Sequence, residues 1–186
     1  MGRDGDVNAT ERRTGATIPA PTTLPGEGKA GAAGRTADGM KAVLLYGGLM
    51  ATVVVMGALI GIMNAPGEWY DGLRKPVFTP PGWVFGPVWT VLYAIIGWVG
   101  ARKLARGGSG ALWVLQMALN FAWTPVFFGL QAPEAALAII LGLFWAILAF
   151  IREEWNRDRV SAVLFLPYAA WVGFATVLNL SIAATN

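Results

Sequence analysis

The chain has 186 residues, of which 55% are hydrophobic and only 13% charged, and its net charge is +3. That charged share is about half that of an ordinary soluble domain. Cysteine and histidine are both absent, which excludes disulfides, thiol nucleophiles, and the commonest metal ligand and general base. The basic excess does not point to nucleic acid, because Lys and Arg fall in short clusters between apolar stretches, as in membrane proteins.

Residues 1–40 are rich in Gly, Ala, Thr and Pro and contain no aromatic residue. Such a segment cannot bury enough apolar surface to offset the entropy of ordering, so it reads as a disordered leader. It makes a poor signal peptide, since its first apolar run begins some forty residues in. Met40-Lys41, directly ahead of that run, has the look of a natural start, which would make the leader an upstream extension.

From residue 42 onward the charges are confined to narrow bands. Runs 42–63, 76–101, 107–133, 135–151 and 160–186 carry no charge at all. A helix needs ~20 apolar residues to cross the hydrocarbon of a bilayer. The pattern therefore predicts an all-α integral membrane protein, a five-helix bundle over 41–186. The helices are expected near 42–63, 83–102, 111–130, 134–152 and 160–183. Alternating strands of a membrane β-barrel do not fit such unbroken runs. The leader and the 103–110 and 152–159 loops share one side, which holds twelve of the fourteen Lys and Arg when Arg102 is counted with its loop. The bias predicts a cytoplasmic N-terminus and an outside C-terminus, in what is expected to be a bacterial plasma membrane.

No span interior holds an ionisable residue, which weighs against a proton-coupled pump or a charge-relay enzyme. The interiors hold aromatic rings and neutral amides instead. In the second span Phe85, Trp89 and Tyr93 recur at four-residue spacing. In the third, Trp113, Gln116, Asn120 and Trp123 share a face, and in the fifth Tyr168, Trp171, Ala175 and Leu178 do so beside Asn179. Amides in lipid are costly unless paired, so Gln116, Asn120 and Asn179 face inward. Asn120 then either glues helices together or lines a pocket. Three such faces suggest a pocket for a planar apolar molecule.

Trp69, Tyr70, Trp83 and Trp155 lie at span ends, where aromatic rings anchor to the interface. Gly57 and Gly61 allow close packing of the first helix, inside the bundle rather than at a dimer seam. Pro87, Pro125 and Pro167 each free a backbone carbonyl within a span. The 64–82 connection, nineteen residues long, suits a lid, with Trp69, Arg74 and Pro76 as its candidate contacts.

The same residues carry a family resemblance. The stretch from Lys75 through Pro76, Pro80, Pro81, Trp83, Phe85, Gly86, Pro87, Trp89 and Thr90 to Tyr93 resembles the signature of the translocator proteins, or tryptophan-rich sensory proteins. It continues in Asn120, Trp123, Pro125, Phe127 and Phe128, and returns in Pro167, Tyr168, Trp171, Ala175, Thr176, Leu178 and Asn179. The resemblance covers about residues 41–186. It implies a five-helix bundle, often a homodimer, that binds porphyrins such as protoporphyrin IX and certain benzodiazepine-type drugs between the helices and under the first loop.

By that resemblance Trp89 and Trp171 match the two tryptophans tied to porphyrin binding and its light-dependent breakdown, and Ala175 and Leu178 the helix 5 face against the ligand. Phe85, Tyr93, Asn120, Trp123 and Phe127 complete the expected walls. Two features depart from the animal members: no Lys or Arg follows Arg159, where their proposed cholesterol motif needs one, and alanines surround Ala135 where they place a drug-contacting Trp. The expected function is a membrane-embedded porphyrin-binding sensor, in contact with membrane lipid and needing neither cofactor nor metal. Its rivals are a light- and oxygen-dependent porphyrin-degrading enzyme and a transporter of tetrapyrroles or lipids.

Overall fold

A computed structural model describes the backbone from Glu27 and the side chains from Asp38 to Asn186. Residues 39–186 form one compact unit, to which the account below is confined. The expected leader lies largely outside the described residues. The first helix, α1, spans Glu27–Met63; a short α2 follows at Glu68–Gly72, then α3 at Gly82–Ala105 and α4 at Ala111–Thr124. A π-helical turn, Pro125–Gly129, continues α4. Then come α5 at Pro133–Glu154, a short α6 at Arg159–Leu164 and α7 at Leu166–Thr185. Five segments are long and apolar enough to cross a membrane: Asp38–Met63, Gly82–Ala105, Ala111–Gly129, Pro133–Glu154 and Arg159–Thr185.

The prolines act differently at each site. Pro87 sits inside α3, which continues through it. Pro125 opens the π turn, where the wider winding accommodates a residue that cannot donate to the preceding turn. Pro167 occupies the first turn of α7, where its missing N–H is an orphan in any case, and the fifth span breaks before it at Phe165.

α5 is the central helix, packed against α4 on one side and α7 on the other. Ile96 and Val99 of α3 meet Ile147 and Phe150 of α5, with Phe165, Tyr168 and Val172 of the fifth span closing a core with no exposed surface. Lipid is as apolar as these side chains, so close packing and hydrogen bonds, rather than escape from water, hold such a core together. Phe150 and Phe165 show that closeness, with ring centroids 4.4 Å apart.

α1 stands apart, with only Val53 and Gly57 buried among its described side chains. It approaches α3 where glycines permit. A Cβ on Gly97 would lie 2.6 Å from the Met50 Cα, and one on Gly57 would strike the Tyr93 ring. Gly57 is thus used for packing inside the bundle, while Gly61 faces open space.

The charges at the span ends find one another. Lys103 of α3 donates to Glu153 at 2.9 Å and to Glu154, both of α5. Arg106 bonds the other Glu154 oxygen at 2.7 Å, and Arg102 reaches Asp158 at 2.6 Å. Glu154 is fully buried and Lys103 nearly so, which is tolerable only because each is paired. This pairing lets α3 and α5 continue as helix through their charged ends, to Ala105 and Glu154, three and two residues beyond the expected bounds. Asp158 lies between the spans. Burial would raise its pKa, but hydrogen bonds from Arg102 and Ser161 and the charges of both arginines hold it at about 2.

Candidate ligand-binding cavity

Between α1, α3, the α4–π segment, α5 and α7 lies a cavity of about 790 Å³. Its walls follow from helical spacing. Phe85, Trp89 and Tyr93 come from α3, Asn120 and Trp123 from α4, Phe127 from the π turn, and Trp171, Ala175 and Leu178 from α7. All nine expected wall residues therefore border one space. α1 adds Val54, Gly57 and Gly61, a wall the sequence left unmarked.

The rings form three groups. Trp89 stacks on Tyr93 at 5.2 Å and meets Tyr168 edge-on at 6.4 Å. Trp123 stacks on Phe127 at 5.1 Å, as residues four apart on a helix can, and the wider π turn also brings Phe128, five residues on, edge-on to Trp123 at 5.9 Å. Phe85 joins Trp171 edge-on at 5.7 Å. A flat ligand thus has aromatic faces and edges available from three helices.

The polar groups behind these rings are mostly occupied. The Tyr93 hydroxyl donates to Asn120 Oδ1 at 3.0 Å, and Asn120 Nδ2 donates to Tyr168 Oη at 2.9 Å. Tyr168 donates on to Gln116 at 2.9 Å. The Trp123 indole donates to Asn179 at 3.0 Å, whose own amide reaches the Pro133 carbonyl. Asn120 is therefore both helix glue and cavity wall.

One donor is left over. The Trp171 indole nitrogen is buried and, among the described residues, has no hydrogen-bond partner. A buried donor without an acceptor costs about 1–3 kcal/mol, and its ring borders the cavity.

The 64–82 connection lies along the cavity, but through residues other than those expected. Tyr70, Asp71, Lys75, Thr79 and Pro80 border it, whereas Trp69, Arg74 and Pro76 do not. Trp69 turns its ring onto Phe127 at 5.9 Å, and Arg74 has its backbone engaged by the C-terminal residue. Trp69 and Tyr70 are half-buried against Phe127 and Phe128, unlike simple interface anchors, while Trp83 and Trp155 stay exposed. The Lys75 ammonium lies 4.4 Å from the centre of the Tyr70 ring and donates to the Asp71 carbonyl. Burial, and then the Asp71 charge, push the Tyr70 phenol above its ordinary pKa, so it is neutral at physiological pH. No irregular loop has a period to read, so its inward residues carried no signal in sequence.

Residues 49–184, most of the chain, match the model of the TspO/MBR family. The chain belongs to that family. It is 36% identical over 134 residues to protein CrtK of Rhodobacter capsulatus, covering 68% of this chain and 83% of the relative. Against the tryptophan-rich sensory protein of Cereibacter sphaeroides it is 38% identical over 132 residues, 69% and 84% of the two chains. The human translocator protein is 35% identical over 143 residues, 70% of this chain and 84% of the other. As a TspO/MBR member it is an integral membrane protein of five spanning helices.

Proposed function

We propose that this TspO/MBR protein binds a flat, hydrophobic tetrapyrrole of the porphyrin class in the cavity between its helices. The observation that carries the reading is the aromatic cavity itself, with one unsatisfied donor at its wall. Its volume of about 790 Å³ falls in the range of roughly 300–1,000 Å³ usual for small-molecule sites. Trp89 and Trp171 pack against the macrocycle, Trp123 and Phe127 bound its opposite side, and the Trp171 N–H meets an acceptor on the ligand. The 64–82 loop covers the site through Tyr70 and Lys75. The spanning helices line the cavity with rings, amides, hydroxyls and aliphatic groups, and Asp71 and Lys75 border it from the loop alone, so the reading is of a binding or sensory protein.

Purified full-length protein titrated with protoporphyrin IX, followed by tryptophan fluorescence, tests this. Saturable quenching at a fixed stoichiometry is expected. Quenching that rises linearly without saturation, as for partition into detergent, would overturn it. The charge bias further supports a cytoplasmic position for the 103–110 and 152–159 loops. A reporter fused after Asn186 should then be active only on the outer side of the membrane, and cytoplasmic activity would reverse the orientation.

A further inference from the structure

The charged end of the bundle holds more cations than its acids absorb. Arg102, Lys103, Arg106, Arg152, Arg157 and Arg159 stand against Glu153, Glu154 and Asp158. Each acid is already committed. Glu153 is held by Lys103 and Arg157, Glu154 by Lys103 and Arg106, and Asp158 by Arg102 and Arg106. Among the described residues, Arg152 has no ion pair or side-chain hydrogen bond, and Arg159 lies only over the Trp155 ring, at 5.3 Å.

Arg152 borders a surface groove of about 470 Å³, separate from the central cavity and lined by Leu148, Ile151, Trp155 and Asn156 besides. The groove continues into an apolar track. Leu141, Trp145, Leu148 and Arg152 of α5 and Trp155, the helical residue just past its end, recur at alternating spacings of four and three, so they share one face. Leu141 and Trp145 are exposed on it, the indole by 66%. A rise of 1.5 Å per residue gives this track, from Leu141 to Arg152, a length of ~16 Å. That is a cation at the membrane surface above a hydrocarbon path running toward the bilayer centre.

We infer that this face of α5 is a binding site for an anionic phospholipid. Its phosphate is held by Arg152 beside Asn156, with Trp155 at headgroup level, and one acyl chain lies along Leu148, Trp145 and Leu141. The planar guanidinium matches a phosphate bidentately. A free phosphate would use the cation but would leave the apolar track without purpose, so the site is assigned to a lipid.

Full-length protein in a neutral detergent, titrated with phosphatidylglycerol or phosphatidylcholine, tests this by thermal stability and by lipid retention in native mass spectrometry. Phosphatidylglycerol should raise Tm saturably and phosphatidylcholine should not. Arg152→Gln should weaken the phosphatidylglycerol midpoint about fivefold, the effect of one surface cation on anionic lipid. Arg152→Lys should recover part of it, and Arg157→Gln, whose charge is paired with Glu153, should stay close to the unchanged protein. Equal responses to the two lipids, an Arg152→Gln midpoint like that of the unchanged protein, or equal losses in both glutamine variants would each overturn the site. So would stabilisation by inorganic phosphate alone at millimolar concentration.

Discussion

The side chain of Asn186 holds the backbone of Arg74 from both sides. Its Oδ1 accepts from the Arg74 N–H at 2.9 Å, and its Nδ2 donates to the Arg74 carbonyl at 3.2 Å. Thr185 adds a donor to the same carbonyl at 3.3 Å. The end of α7 is thereby fastened to the loop that runs along the cavity. These bonds are exposed, so each is worth only about 0.5–1.5 kcal/mol. Asn186→Ala should loosen the loop and speed tryptic cleavage at Arg74 and Lys75 by roughly two- to tenfold. Saturating porphyrin should slow cleavage in both proteins. An unchanged rate in the variant would mean that the loop is held by its aromatic contacts alone.

Asn120 joins three helices through Tyr93 and Tyr168. Asn120→Leu keeps the volume but strips the Tyr93 hydroxyl of its acceptor and Tyr168 of a donor. A buried hydroxyl so orphaned costs about 1–3 kcal/mol, enough to lower Tm measurably. Tyr93→Phe removes the orphan, so the double variant should lose less than the two single losses added. Strict additivity in thermal melts would show that the bond contributes nothing to stability.

The approach of α1 to α3 rests on single hydrogen atoms. Gly97→Ala would place a methyl 2.6 Å from the Met50 Cα, and a backbone cannot swing aside as a side chain can. Overpacking of this kind costs about 1–3 kcal/mol, and Tm should fall. Gly47→Ala lies on α1 with nothing within 4 Å and should be neutral or slightly stabilising. Equal melting of the two variants would place the α1–α3 contact elsewhere.

Asp158 ties acid stability to the charged end of the bundle. Its folded pKa of about 2 lies below the ~3.9 of an unfolded Asp, so it stabilises the fold fully above pH ~4. That stability is lost as pH falls through 4 toward 2, as the carboxylate is protonated, Arg102 loses its partner and Arg106 loses one of two. Asp158→Asn should melt lower at pH 7 and show a smaller further drop between pH 4 and 2. Parallel acid profiles for the two proteins would remove Asp158 from the account.

The walls of the cavity were legible because helices repeat. Residues such as Phe85, Trp89 and Tyr93 declare a face by spacing alone, and amides such as Asn120 declare which way it turns. α1 declared nothing, since Val54, Gly57 and Gly61 sit in a helix that is apolar all round. The π turn was equally silent: Pro125 marks a disturbance but not its form, and the wider winding brings Phe128, five residues on, against Trp123. The inward residues of the 64–82 loop could not be told from their neighbours. Lys103, read singly, is an orienting charge at a span end, and its pairing with Glu154 appears only when α3 and α5 are brought together.

Trp171 separates the proposed pocket from its rivals because its two capacities can be removed one at a time. Its ring borders the cavity, and its N–H is the one buried side-chain donor without an acceptor among the described residues. Trp171→Phe keeps an aromatic face but deletes the donor. If the ligand supplies the missing acceptor, the loss equals one net hydrogen bond, about 0.5–1.5 kcal/mol, or roughly two- to twelvefold in porphyrin affinity. The fold should not suffer, since the deleted donor had no partner, and Tm without ligand should hold or rise. Trp89→Phe also loses indole area stacked on Tyr93, so its affinity should fall by a comparable factor. Trp155 lies beyond the cavity, at the charged end of the bundle, and Trp155→Phe should bind porphyrin as the unchanged protein does. Any light-dependent loss of porphyrin should fall more steeply than binding in the two cavity variants, because phenylalanine has no counterpart to the readily oxidised indole. Affinity lost equally in all three variants, measured by fluorescence titration, would mean that porphyrin does not bind between these helices.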